Sequence, residues 1–218
     1  MPGYKLAIDG PAGSGKSTIS SLIAKKLGWT HIDTGAMYRA VTLQAIELNI
    51  DLNNEASYHF LETSNIHYDN NRIYIDDRDV TEAIRNEAVT NNVSLVSSFP
   101  YVRKKLVELQ KNAAQKGNIV MDGRDIGTVV LPNADLKIFL TANVEERAQR
   151  RHNEQLKKGK TSEMSKVIED ILKRDQKDST RKESPLRIAS DAILLDTTYL
   201  TIEEVVNKII ELTDKKEN

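Results

Sequence analysis

An α/β fold is predicted, built on a parallel sheet of five short strands with helices covering its faces. Three observations carry that prediction. Five apolar runs of strand length lie at 5–8, 30–32, 119–121, 136–140 and 192–195, with helical patterns between most of them. The first run leads straight into Gly10-Pro11-Ala12-Gly13-Ser14-Gly15-Lys16-Ser17-Thr18, which matches the phosphate-loop spacing of Gly, four free positions, Gly, Lys and Ser/Thr. At 218 residues the chain is long enough for one sizeable core, alone or with small lids.

The stretch from Tyr4 to Asp9 reads as a short buried strand, and Ile19, Leu22, Ile23 and Leu27 recur behind the loop at helical spacing. Strand, Gly-rich loop and helix are the context the motif needs. The alternative, a glycine turn before an ordinary helix, does not account for all three. The glycines let successive backbone N–H groups turn toward a phosphate, and the helix N-terminus adds positive potential. Residues 10–18 are therefore expected to bind a nucleoside triphosphate, with Lys16 reaching the β- and γ-phosphates and the Ser17 hydroxyl holding Mg²⁺.

The second run continues into Asp33-Thr34-Gly35-Ala36-Met37-Tyr38-Arg39. Arg39 falls one turn into a helix that starts at the binding edge, where it either grips a second phosphate or is simply solvated. Residues 49–117 exceed what a bare sheet-and-helix core needs. Asn65 to Tyr68, a polar Asp69-Asn70-Asn71 turn and Arg72 to Asp76 predict a β-hairpin flanked by helices, read here as a substrate-binding insert.

The third run opens into Met121-Asp122-Gly123-Arg124-Asp125-Ile126-Gly127. Phosphate-loop proteins commonly place a Mg²⁺-linked Asp at this point, and Asp122 is expected to reach the ion through water. Gly123 follows it, not the Glu with which ATP-driven machines position water, which argues against a motor. The alternative is a turn rich in Asp and Gly. Residues 143–186 are charged and helical, with Asn143 and Glu146 spaced to cap the first helix. Arg147, Arg150 and Arg151 share one helix face, as do Arg174, Asp178 and Arg181, with Asp175 beside them. Such runs are either surface ion pairs or a lid whose arginines neutralise a phosphoryl group in transfer and exclude water. Both long stretches border the strand ends where open α/β sheets bind ligands.

Composition narrows the classes. A net charge of −1 and 5% aromatic residues leave little for a nucleic-acid surface. From Arg147 to Arg187, however, 13 Lys/Arg face 7 Asp/Glu, a basic segment suited to a small anionic ligand. With no cysteine there is no disulfide framework and no thiolate zinc site. His31, His59, His67 and His152 do not pair at metal-ligand spacing and are read as structural or surface residues. No apolar run is long enough to span a bilayer. The N-terminus, Met1-Pro2-Gly3-Tyr4-Lys5, runs into the first strand without a signal peptide, so a cytoplasmic enzyme is expected. Nothing points to an obligate interface, and a monomer is expected. Residues 214–218 are expected to fray.

The phosphate loop, the Asp-Thr-Gly-Ala-Met-Tyr-Arg segment, Asp-Gly-Arg-Asp-Ile-Gly-Thr-Val-Val and Arg-Asp-Gln-Lys-Asp-Ser-Thr-Arg occur here in a familiar order and spacing. Together they resemble the bacterial cytidylate kinases, the (d)CMP kinases among the nucleoside-monophosphate kinases, over nearly the whole chain. The resemblance implies a three-layer P-loop kinase core, a CMP-binding insert at 49–117, a short helical lid at 143–186, and transfer from ATP to CMP or dCMP with Mg²⁺. It implies that residues 13–18 wrap the ATP phosphates, that Thr34, Arg39 and Arg124 lie near the acceptor, and that Ser94, Arg103 and Asp125 recognise cytosine. It implies that Arg174, Asp178 and Arg181 reach sugar and phosphate. Lys16, Arg147, Arg150, Arg151 and Arg181 would then serve catalysis. The lid tip, Gly159-Lys160-Thr161-Ser162, receives no role.

Three other classes stay in view. Kinases for UMP, AMP or shikimate share the same core logic. A switch GTPase would need Asn-Lys-x-Asp, but here Asn207-Lys208 is followed by Ile209-Ile210. A nucleic-acid-linked ATPase is disfavoured by the charge and aromatic content already given.

Overall fold

The computed structural model describes residues 3–69 and 71–217. Met1 and Pro2 of the expected leader-free start, Asn70 of the expected hairpin turn and Asn218 of the tail lie outside them. The chain runs β1 (Lys5–Asp9), α1 (Lys16–Leu27), β2 (Thr30–Asp33) and α2 (Thr34–Glu47). It continues through β3 (Ile66–Asp69), β4 (Arg72–Ile75), β5 (Arg78–Asp79), α3 (Glu87–Val96) and α4 (Pro100–Ala113). The last section comprises β6 (Ile119–Gly123), β7 (Leu136–Thr141), α5 (Val144–Lys157), α6 (Met164–Thr180), β8 (Ile193–Asp196) and α7 (Ile202–Glu217).

The five-stranded sheet has the order β2-β6-β1-β7-β8, and every pairing is parallel, as the sequence predicts. Alternation along the strands divides the core between its two faces. Leu6 and Ile8 of β1 pack with Ile19 and Ile23 of α1 and Val206 and Ile209 of α7. Ala7, between them, faces the other cluster with Ile32, Met37, Val41, Leu106 and Met121. Period two on each strand thus builds three layers, helix–sheet–helix. Burial on both faces is why the central strands read as near-continuous apolar runs.

The hairpin expected at 65–76 is β3 and β4, with Ile66 opposite Ile75, and a short third strand, β5, is added at its edge. Asp76 turns the chain with φ 54° and accepts a hydrogen bond from Asn65 N at 2.9 Å. Tyr58, Ile66, Ile73, Val89 and Val93 join the same cluster as α2, so this segment shares its core with the sheet. Helices α5 and α6 pack on each other around a small cluster, buried Ala148, Val167 and Ile171 with Val144, Met164 and Ile168 partly buried against them. Asn143 Oδ1 accepts from Glu146 N at 2.7 Å, the N-cap that the spacing predicts.

Candidate active site

The C-terminal ends of β1, β2 and β6 meet at one edge of the sheet, and the phosphate loop fills the gap between β1 and α1. Gly10 has no room for a side chain, since a Cβ there would sit 2.0 Å from Leu140 O. Gly13, at φ 74°, lies against the backbone of Arg147 and adopts a conformation that L side chains avoid. Lys16 is buried and folds back over the loop, its Nζ donating to Pro11 O at 2.8 Å and Ser14 Oγ at 3.2 Å. Burial, with Arg124 nearby, brings its ammonium down to about 7.

Ser17, one residue on, donates from Oγ to Asp122 Oδ2 at 2.7 Å. The other carboxylate oxygen, Oδ1, meets His31 Nε2 at 2.6 Å. His31 is thus a mostly buried residue that holds Asp122 from beside the cavity, within its reading as structural or surface. Burial opposes its charge, but the Asp122 bond outweighs this and raises its pKa. The pairing comes from the β2–β6 register, which sets Asp33 opposite Asp122. Thr34 is buried, its Oγ1 donating to Asp122 O at 2.8 Å. A hydroxyl and a carboxylate are hard oxygen donors that suit Mg²⁺ completing its shell with phosphates and waters.

Beside the loop opens a cavity of about 300 Å³ onto which Lys16, Arg39, Arg103, Arg124, Arg174 and Arg181 all face. Its floor alternates in charge. Arg103 Nη2 donates to Asp125 Oδ2 at 2.6 Å and Arg124 Nε to Asp178 Oδ2 at 2.8 Å, while Arg181 lies 3.6 Å from Asp125 and 3.5 Å from Asp178. Burial pushes the Asp178 carboxyl up, but Arg124 and Arg174 outweigh it and hold it low. Arg103 also stacks over the Tyr38 ring at 5.2 Å. Cations crowd the roof. Burial, with Arg124 beside it, lowers Arg174 to about 10, and burial with Arg151 nearby lowers Arg39. Arg39 Nη1 donates to Thr90 Oγ1 at 3.0 Å and Ile84 O at 3.2 Å. Among the described residues, the buried Arg103 Nε and Arg174 Nε have no hydrogen-bond partner, nor does Ser94 Oγ, which lies on α3 toward the neighbouring cleft. Orphaned buried donors call for an explanation, and on the wall of a cavity a bound ligand is one.

A second cavity, about 530 Å³, flanks the loop on its far side, between α1, α5 and the segment from Thr197 to Ile202. Leu200, Ile202 and Val205 make it largely apolar, and Thr18 and Arg151 stand at its edge. Arg150 lies along it, donating through Nη2 to Thr197 O at 2.7 Å and through Nε to Glu146 at 2.9 Å.

The three arginines on α5 separate in their contacts. Arg151 borders both cavities. Arg147 is turned inward and buried, its guanidinium donating to Ala142 O at 3.0 Å, Ala12 O at 2.8 Å and Asp175 at 2.5 Å. Asp175 also accepts from Ala12 N at 2.9 Å. Both backbone groups of Ala12 in the phosphate loop are thus held by the α5–α6 pair.

A site with a phosphate loop, a cationic roof and a paired Arg–Asp floor belongs to a known lineage. The sequence model of the family described as cytidylate kinase matches residues 6–215. The chain belongs to the cytidylate kinase family. It is 61% identical over 212 residues to a cytidylate kinase of Acholeplasma laidlawii (strain PG-8A), covering 97% of this chain and 96% of that protein. It is 52% identical to a cytidylate kinase of Carboxydothermus hydrogenoformans, covering 97% and 98%. The fold also resembles a gluconokinase structure from Sinorhizobium meliloti 1021, with TM-score 0.51 and 16% identity over 100% of this chain and 95% of that one. The protein is a kinase.

In this cytidylate kinase family member the structure brings Thr34, Arg39, Arg103, Arg124, Asp125, Arg174, Asp178 and Arg181 to one cavity with Lys16 and Ser17. Ser94, Arg147 and Arg150 do not line it. Sequence reasoning missed four features. His31 grips Asp122. Asp9 accepts from the backbone N of Ile126 at 2.8 Å and of Gly127 at 2.7 Å, fastening the Arg124–Asp125 loop to β1. Burial, despite those bonds, pushes its carboxyl up to about 6. Arg85 reaches the main cavity from the insert. The segment from Thr197 to Ile202 forms the second cavity. The only signal in the sequence was position: Asp9 ends β1 at the binding edge, and His31 lies on β2 two residues before Asp33 at that edge.

Proposed function

We propose that this kinase transfers the γ-phosphoryl group of ATP to CMP or dCMP with Mg²⁺, giving ADP and CDP or dCDP. The single observation that carries this reading is that the phosphate loop, the cationic roof and the Arg103–Asp125 pair open into one cavity. Residues 49–117 are assigned to acceptor binding and 143–186 to the lid; the enzyme is read as a cytoplasmic monomer.

Residues 10–18 hold the ATP phosphates, and the second cavity takes the adenine between Leu200, Ile202 and Arg150. Arg39 and Arg124 clamp the acceptor phosphate. A phosphate monoester is already largely dianionic near neutral pH, so its oxygen attacks in line without a strong general base, and catalysis rests on positioning and charge neutralisation. Lys16, with Arg151, Arg174 and Arg181, supplies the neutralisation from this chain. Ser17 and Asp122 would hold Mg²⁺, which would supply charge stabilisation for the transfer. Arg147 acts through the phosphate loop, which it holds at Ala12. At the cavity floor Asp125 accepts from the cytosine amino group, while Arg103 Nε remains to pair with the base; Ser94, which borders the neighbouring cleft, would need a local shift to reach it. Uracil presents an acceptor in place of that amino group, so it offers Asp125 no donor and sets two acceptors against each other, a mismatch that buried hydrogen-bonding sites reject strongly.

The test is ADP release with ATP and Mg²⁺ across CMP, dCMP, UMP, AMP, GMP and TMP. Fast turnover confined mainly to CMP and dCMP is expected. Activity with another monophosphate alone would overturn the cytosine site, and ADP release without any acceptor would overturn the kinase chemistry of the cavity.

A further inference from the structure

We propose that His31 is a positioning residue for the metal site, its Nε2–H locking the Asp122 carboxylate so that Ser17 presents a lone pair to the cation. The inference rests on the reading of Ser17 as the Mg²⁺ ligand. Asp122 is 2% exposed and its two oxygens are engaged from opposite sides, Oδ1 by His31 at 2.6 Å and Oδ2 by Ser17 at 2.7 Å. A serine hydroxyl has one hydrogen. While that hydrogen is given to Asp122, the oxygen lone pairs face elsewhere, and Ser17 lies on the wall of the phosphate cavity. A hard cation that demands near-octahedral oxygen geometry is sensitive to that orientation.

The second bond matters because one hydrogen bond leaves a carboxylate free to swing about its own torsions, and two from different elements do not. His31 comes from β2 and Ser17 from α1, while Asp122 sits near the end of β6. The bond also sets a donor against Asp122 where the β2–β6 register brings the half-buried Asp33 directly opposite. Without it, Asp122 would have one buried oxygen unpaired and a carboxylate neighbour across the strands. Outer-shell partners of this kind orient metal ligands indirectly.

The experiment uses Mn²⁺ as the probe, titrated into the full-length protein with ADP and read by electron paramagnetic resonance, for wild type, His31→Leu and His31→Gln. The Gln amide extends an N–H to about the reach of imidazole Nε2. The expected result is that His31→Leu weakens Mn²⁺ in the ADP complex by about 10-fold, that metal-free ADP and CMP affinities stay at the wild-type level, and that His31→Gln restores most of the loss. If His31→Leu does not fold, His31→Phe gives a second donor-free reading. Unchanged Mn²⁺ affinity in a folded donor-free variant, parallel loss of metal-free ADP binding, or no rescue by folded His31→Gln would each overturn the proposal. Wild-type protein that binds ADP but no Mn²⁺ would instead bring down the Mg²⁺ reading, and this inference with it.

Discussion

The sheet and the α5–α6 pair are held by different forces. Around β1, β6 and β7, strand ladders and two apolar clusters enclose side chains such as Leu6, Ile8, Met121 and Ile138 almost completely. The α5–α6 pair has only Ala148, Val167 and Ile171 as a buried centre. Its ties to the rest are polar: Asp175 and Arg147 on Ala12, and Arg150 on Thr197. Apolar burial is non-directional and lost only by unfolding, whereas a hydrogen bond to a backbone group can be exchanged for one to a phosphate oxygen. The difference teaches where movement can occur: on the proposed lid reading, the strand ends keep their geometry while α5 and α6 trade partners as nucleotides arrive and leave.

The sharpest break in this contrast is chemical and lies on the rigid side. Lys16→Ala is expected to lower turnover by about 10²–10³-fold, the usual loss when one donor to developing charge is removed. CMP affinity, measured by calorimetry, should hardly change. Equal losses in both would show that Lys16 supports the site and not the transfer. Next in size is a paired stability comparison. Ile138→Ala should cost about 2–5 kcal/mol of global unfolding free energy in denaturant titration. Ile171→Ala, in the lid, should leave that transition nearly in place and speed amide exchange only in α5 and α6; equal global losses would make the lid part of the core. The smallest expected effect sharpens the lid's attachment. Asp175→Ala leaves Ala12 N and Arg147 without their shared partner, which should lower the local opening free energy by about 1–3 kcal/mol. Hydrogen exchange should show α5 and α6 opening faster while β1 and β6 keep their protection; unchanged exchange would mean that Arg147 alone suffices.

By itself the sequence determined what depends on neighbours along the chain. The phosphate loop was legible because its function resides in a few consecutive backbone N–H groups between a strand and a helix. The five strands were legible because burial on both faces leaves continuous apolar runs, and the Asn143 cap because it acts three residues away. The cation-rich composition of residues 147–187 supports the proposed anionic partner. What only the tertiary structure decided is which distant side chains meet. The order β2-β6-β1-β7-β8 is not written in the order of the strands along the chain. It sets β2 beside β6 and so brings His31 to Asp122 across 91 residues. Packing of α6 over the loop carries Asp175 to Ala12 across 163 residues. It also parted Arg147 from Arg151, which a helical wheel puts on one face, because a buried guanidinium must spend its donors on whatever acceptors surround it. Helical spacing states which residues can share a face; only the packed neighbours state what that face meets.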